Sequence, residues 1–83
     1  DNVEIDVVLE KGDRLVPIEI KAAVSPVADH ASSIRRLRSM AGDAADSTIA
    51  AGLVIYGGDE ERTMQQDRFV SWRTIHESLL SVE

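Results

Sequence analysis

Residues 3–9 alternate in polarity. Val3, Ile5, Val7 and Leu9 fall on one face of an extended segment and Glu4, Asp6, Val8 and Glu10 on the other, the pattern of a half-buried strand. The pattern returns at residues 15–22, with Val16, Ile18, Ile20 and Ala22 on one face and Leu15, Pro17, Glu19 and Lys21 on the other. Between them stands Lys11-Gly12-Asp13-Arg14, and a Gly at the first central position of a two-residue loop suits a II′ hairpin turn. That turn sets residue i opposite residue 25 − i, so Ile5 meets Ile20, Val7 meets Ile18 and Leu9 meets Val16 on the apolar face. On the polar face Asp6 meets Glu19 and Glu4 meets Lys21. A slip of one residue puts carboxylates into the core, whereas a slip of two keeps the face parity and stays open.

Further on, Ser25 as N-cap and Pro26 at the first helical position predict a helix. Ala31, Ile34, Leu37, Met40 and Ala41 form its apolar stripe, and Gly42 ends it. Residues 43–47 read as a polar connection, and residues 48–56 as a nearly continuous apolar run, which suits a strand covered on both faces. Strand, helix, strand in that order predicts a crossover into parallel pairing with residues 15–22. Gly57-Gly58 breaks the run, and residues 59–61 and 63–67 read as a mobile polar loop. Arg68, Phe69 and Val70 suggest a short edge strand. Ser71 is placed to cap a closing helix with Trp72, Ile75 and Leu79 on one stripe and Leu80 adjoining. The expected fold is α/β, a single domain over residues 1–83: a β-hairpin, a helix crossover to a parallel strand, and a closing C-terminal helix.

The chemistry gathers on the hairpin's polar face. Directly opposed residues have Cβ atoms about 4.5–5.5 Å apart, so Asp6 and Glu19 repel unless something lies between them. A divalent cation removes that repulsion, and hard oxygen ligands suit Mg²⁺, which takes one or two carboxylates and keeps several waters. Lys21, two residues from Glu19 on the same face, is placed to orient a water or stabilise charge on a phosphate. The competing reading is a solvated hairpin face with a Glu–Lys cross-strand pair. Arg35, Arg36 and Arg38 form the basic cluster of the helix. Arg35 and Arg38 share a side and Arg36 is rotated away, and they read either as a solvated face or as phosphate contacts flanking the carboxylates. His30 and His76 read as structural, Trp72 as a core anchor, and the acids at 59–61 as a solvated loop.

Asp6, twelve intervening residues, and Glu19-Ile20-Lys21 resemble the D…E-x-K signature of the PD-(D/E)XK nuclease-like superfamily. The wider wording, Glu4 to Glu10 and Pro17 to Lys21, resembles the C-terminal nuclease-like domain of a family of prokaryotic AAA-type ATPases of uncharacterised function. Gly52-Leu53-Val54-Ile55-Tyr56-Gly57-Gly58 and Val70-Ser71-Trp72 are similar to that family too, although it commonly has Pro where this chain has Ser71. The resemblance implies a truncated restriction-endonuclease-like core, lacking a helix and strand that normally precede Val3. It implies Asp6 and Glu19 as ligands of Mg²⁺ or Mn²⁺, with the backbone carbonyl of Ile20 as a third. Asp6, Glu19 and Lys21 would then be the catalytic set for hydrolysis of DNA. The other function it allows is a non-catalytic interaction or regulatory module of the ATPase.

Composition narrows the choice. The chain has 83 residues, 43% of them hydrophobic and 29% charged, which fits an ordinary small globular domain. It opens at Asp1 on a strand pattern, so it is expected to be a fragment of a longer ATPase chain. No apolar run reaches membrane-spanning length. The absence of Cys excludes thiol chemistry and leans to a cytoplasmic setting. A net charge of −6 opposes diffuse phosphate binding, so contact with DNA would be weak and would rest on Arg35, Arg36 and Arg38. No G-x-x-x-x-G-K-[ST] motif is present, which puts any ATPase motor elsewhere in a parent chain. An open edge at the first strand predicts a homodimer.

Overall fold

Gly12 bends the chain between two strands, and a computed structural model, which describes residues 5–75 (backbone only for Asp46 and Ser47), shows how the rest follows. Gly12 takes φ 62° and Asp13 stays outside the positive region, as the II′ turn requires. The turn joins β1 (Val7–Lys11) to β2 (Arg14–Ile20) in the expected register, with Val7 opposite Ile18, Leu9 opposite Val16 and Lys11 opposite Arg14. The two-residue slip is thereby excluded. β1 is shorter at its start than the alternation suggests, because Asp6 sits in a bend outside the ladder. Residues 1–4, and with them the expected Glu4–Lys21 pair, lie outside the described residues.

The helix begins later than Ser25-Pro26 suggests. Those residues lie in a bend and an irregular stretch, a 3₁₀ turn covers Ala28–Ala31, and α1 runs Ser32–Ala41. No side chain caps α1, and Gly42 ends it with φ 60°. Ala31 and Ile34 are buried, whereas Met40 is exposed. A 3₁₀ turn (Gly42–Ala44) and a short α2 (Ala45–Thr48) replace the plain connection. Only Leu53–Tyr56 of the long apolar run forms a strand, β3; Ile49 makes a single parallel bridge to Leu15. Every residue of β3 is buried, as a strand covered on both faces should be.

β3 lies parallel to β2, as expected, and also parallel to β5 (Asp67–Ser71). The sheet order is β1-β2-β3-β5-β4, so β5 is internal and not the edge strand that its short apolar run suggests. The edge is β4 (Arg62–Met64), antiparallel to β5 through a Gln65–Gln66 turn, in place of the polar loop. The acids before it are ion-paired: Asp59 with Arg73, Glu60 with Arg62 and Glu61 with Arg68.

The sheet has two apolar faces. One packs Val54, Tyr56 and Phe69 under Ala31 and Ile34. Gly52 lets α1 approach this closely: a Cβ there would stand 2.7 Å from Ile34 Cγ2 and 2.9 Å from Asp67 Oδ1. The other joins Val16, Ile18, Ala50, Leu53, Ile55 and Val70, with Ile75 packed against them. On this second face Val7, Leu9 and Ile20 are exposed, contrary to the burial their alternation suggests, because no described helix lies over them. Ser71 caps a 3₁₀ turn (Trp72–Thr74) by accepting from Arg73 N at 3.2 Å. Trp72 is 57% exposed, with the Arg73 guanidinium 5.0 Å from its ring centroid, so among the described residues it is not the core anchor expected. His76, Leu79 and Leu80 of the expected closing helix lie outside the described residues.

Candidate functional site

Strand β2 ends where the chemistry begins. Glu19 is on the helix-covered face of the sheet, opposite Val54 of β3, and is only 4% exposed. Burying a carboxylate is costly unless it is bonded. Here Asp6 N donates to Glu19 Oε2 at 3.1 Å, and Lys21 Nζ stands 3.4 Å from Glu19 Oε1. The exchange is reciprocal: Ile20 N donates to Asp6 Oδ2 at 2.9 Å. Side-chain bonds thus stand where ladder bonds would continue, which ends β1 at Val7. The two acids do not meet as bare opposed charges; each is bonded to the other segment's main chain. Lys21 N donates to Ile55 O at 2.8 Å, so the ends of β2 and β3 hold the lysine in place.

Asp6, Glu19, Ile20 and Lys21 are therefore brought together at the carboxyl ends of β2 and β3, the edge at which open α/β sheets bind ligands. The donors available to a metal are hard oxygens: two carboxylates, each with one oxygen already accepting a main-chain N–H, and the Ile20 carbonyl. That set fits Mg²⁺ or Mn²⁺ completed by waters. Among the described residues no cluster of three or more His, Cys, Asp or Glu joins it.

The arginines are placed differently. Arg38 reaches Asp67, with Nη2–Oδ1 at 2.7 Å and Nη1–Oδ2 at 3.4 Å, and Gly52 N donates to the same Oδ1 at 2.9 Å. Asp67 begins β5 at the amino end of the parallel strands, two residues before the Phe69 that lies in register with Val54 and Glu19. By strand geometry this is roughly 12 Å from Glu19. Arg35 donates to Ala28 O at 2.8 Å, and Arg36 is exposed. Arg38 thus sits at the far edge from the carboxylates, not beside them.

Asp67, with 0% exposure, is a structural centre that pattern reading missed. It stands among polar residues, two positions before the apolar pair Phe69-Val70, so alternation gives no sign of it. His30 is half-buried with its ring 6.4 Å from that of Phe69, in keeping with a structural role.

Fold and site define a small α/β domain with a paired-carboxylate and lysine cluster at the carboxyl edge of a mixed five-stranded sheet. The family model of a domain of unknown function, DUF4143, matches residues 1–75, and the chain belongs to that family. The domain occurs in AAA-ATPase-associated proteins. Comparison with curated proteins and with solved structures gave no match. No described helix is long and apolar enough to cross a membrane.

Proposed function

We propose that Asp6, Glu19 and the Ile20 carbonyl hold Mg²⁺ or Mn²⁺ and that the domain is a PD-(D/E)XK-like nuclease module acting on DNA phosphodiesters. The observation that carries this reading is the cluster itself: two carboxylates and an ammonium fixed by bonds of 2.9, 3.1 and 3.4 Å at the ligand-binding edge of the sheet. When bound, the metal polarises the phosphoryl oxygen and lowers the pKa of a bound water. Asp6 and Glu19 bind and orient. The Lys21 ammonium, partly exposed beside Glu19, positions the attacking water or stabilises charge developing on the phosphate. Of the three arginines Arg36 is the one exposed on α1, Arg35 and Arg38 being half-buried, which makes it the simplest DNA phosphate contact. In this reading the domain works in the cytoplasm, joined to an AAA-type ATPase domain of its parent chain, and pairs with a second copy of itself.

A second reading is a non-catalytic interaction module of that ATPase. The self-satisfied carboxylates favour it, since their mutual main-chain bonds need no metal, as does the net charge of −6. Relaxation of supercoiled plasmid in Mn²⁺ separates the two. The nuclease reading predicts nicking that is lost in both Glu19→Gln and Lys21→Ala. Nicking that persists in both variants, or none by the wild type at any metal concentration, leaves the interaction module.

A further inference from the structure

The carboxyl edge of the sheet carries more than the carboxylates. Ile20, Ile55 and Val70 are level across the parallel strands β2, β3 and β5, so the three strands end side by side. Lys21 follows β2, Gly57 and Gly58 follow β3, and Trp72 and Arg73 follow β5. Ser71 stands two strand spacings from Lys21, roughly 10 Å, and Trp72 comes next. Between them Gly57-Gly58 places no side chain in the gap. Gly57 N donates to Ala23 O at 2.7 Å, which brings Val24 to the same edge. Ile20, Val24 and Trp72 are all exposed along it. Apolar side chains gathered at the rim of a charged site mark a place where something binds.

Charge does not make this edge a general anion site. Arg73 pairs with Asp59 at 2.7 Å, and Lys21 with Glu19 at 3.4 Å. Arg73 and Asp59 are both exposed, so their pair contributes little, and Arg73 exchanges Asp59 for another anion at small cost. What the edge offers instead is a ring. Trp72 is 57% exposed, with the Arg73 guanidinium 5.0 Å from its centroid. A guanidinium packed on an indole orders the ring and stays in reach of a phosphate beside it.

We infer that Trp72 stacks an unpaired base and that the strand taken by the carboxylate site is single-stranded DNA. The inference rests on the nuclease reading, since it names the substrate of that site. Every base has a π-face, so such stacking needs no particular sequence. Inside a duplex those faces are covered by neighbouring bases, and a ring on the protein surface has nothing to stack on. At the 3.4 Å rise of a stacked strand, the base on Trp72 lies about three nucleotides from the phosphate at Lys21. Arg73 takes a phosphate next to that base.

Trp72 is the sole tryptophan of the chain, so its fluorescence reports on this ring alone. Chelator-treated protein is titrated at low salt with a short single-stranded oligonucleotide, and with a relaxed, covalently closed duplex circle at equal nucleotide concentration. Saturable quenching by the single strand, and much less by the circle, is expected. Anisotropy of a labelled single strand should show binding about 5- to 150-fold weaker in Trp72→Ala, with most of it kept in Trp72→Phe. Arg73→Ala should lower the salt slope by about 0.7, the share of one phosphate on a single strand. Both side chains are exposed, so all three variants should melt close to the wild type. The assay needs neither metal nor turnover, so it fails separately from the nuclease reading. Quenching without plasmid nicking upholds the base contact and removes the nuclease reading; nicking without quenching overturns the base contact alone. Equal quenching by the closed circle, or unchanged single-strand affinity in Trp72→Ala, would also overturn the inference.

Discussion

Asp6 and Glu19 show how a residue pair can be read for place without the bonds that bear on its energy. The alternation and the turn put them opposite each other; Asp6 stands just outside the ladder, and the two segments meet there through reciprocal side-chain bonds. Whatever repulsion they have is offset in part, because each carboxylate accepts a main-chain N–H across the gap and Lys21 stands beside Glu19. Pattern reading supplies faces, not the bonds of side chains to amides, so this reciprocity was not legible. A direct consequence is that Asp6→Ala should destabilise the metal-free domain by about 1 kcal/mol, the usual net worth of a hydrogen bond. Asp6→Asn, which keeps an acceptor for Ile20 N, should cost less than about half of that. Urea melts in chelator measure both, and equal losses would show that the bond to Ile20 does not matter. Asp67 is the opposite case, a residue with no sequence signal and a large structural share. Asp67→Ala leaves the Arg38 guanidinium, 14% exposed, without its carboxylate. The expected cost is about 3–5 kcal/mol, the range for breaking one side of a buried ion pair. The double change Arg38→Met/Asp67→Leu should recover most of it, and failure to recover would shift the weight to the Gly52 N–Asp67 bond.

At the scale of elements, strong periodicity and glycine were read well and weak turns were not. The β1–β2 hairpin was legible because Gly12 supplies the positive φ that fixes register. The parallel placement of β3 followed from an apolar run after a helix. The β4–β5 hairpin was not legible: its turn is Gln65–Gln66, with no Gly, Asn or Pro, and β4 is three residues with little apolar content. Without that hairpin, Asp67-Arg68-Phe69-Val70-Ser71 looks like an edge, when it is an internal strand. Ser25 and Pro26 carry the composition of a cap without forming one, so α1 starts later than that composition suggests. The seam between α1 and the sheet rests on Gly52. Gly52→Ala should therefore cost about 1–3 kcal/mol through overpacking against Ile34. Ile34→Val in the same protein should relieve part of it, and a double mutant no better than the sum of the single changes would place the clash elsewhere, at Asp67.

Seen whole, the described residues form a sheet with one face under α1 and the other carrying exposed Val7, Leu9 and Ile20, and with β1 at its rim. Exposed apolar side chains on a rim strand favour association through that strand. We expect a homodimer in sedimentation equilibrium at micromolar concentration, dissociated by Val8→Lys/Leu9→Lys; a wild-type monomer would show that the rim needs no second copy. The carboxylate cluster lies at the carboxyl end of this sheet, and its reading as a metal centre is the claim on which the proposed function stands. Calorimetric titration of chelator-treated protein with Mn²⁺ tests it most directly. The account predicts saturable binding by the wild type, abolished in Glu19→Gln and strongly weakened in Asp6→Asn, with Arg38→Met unaffected. Absence of Mn²⁺ binding by the wild type, or equal binding by all four proteins, would contradict it.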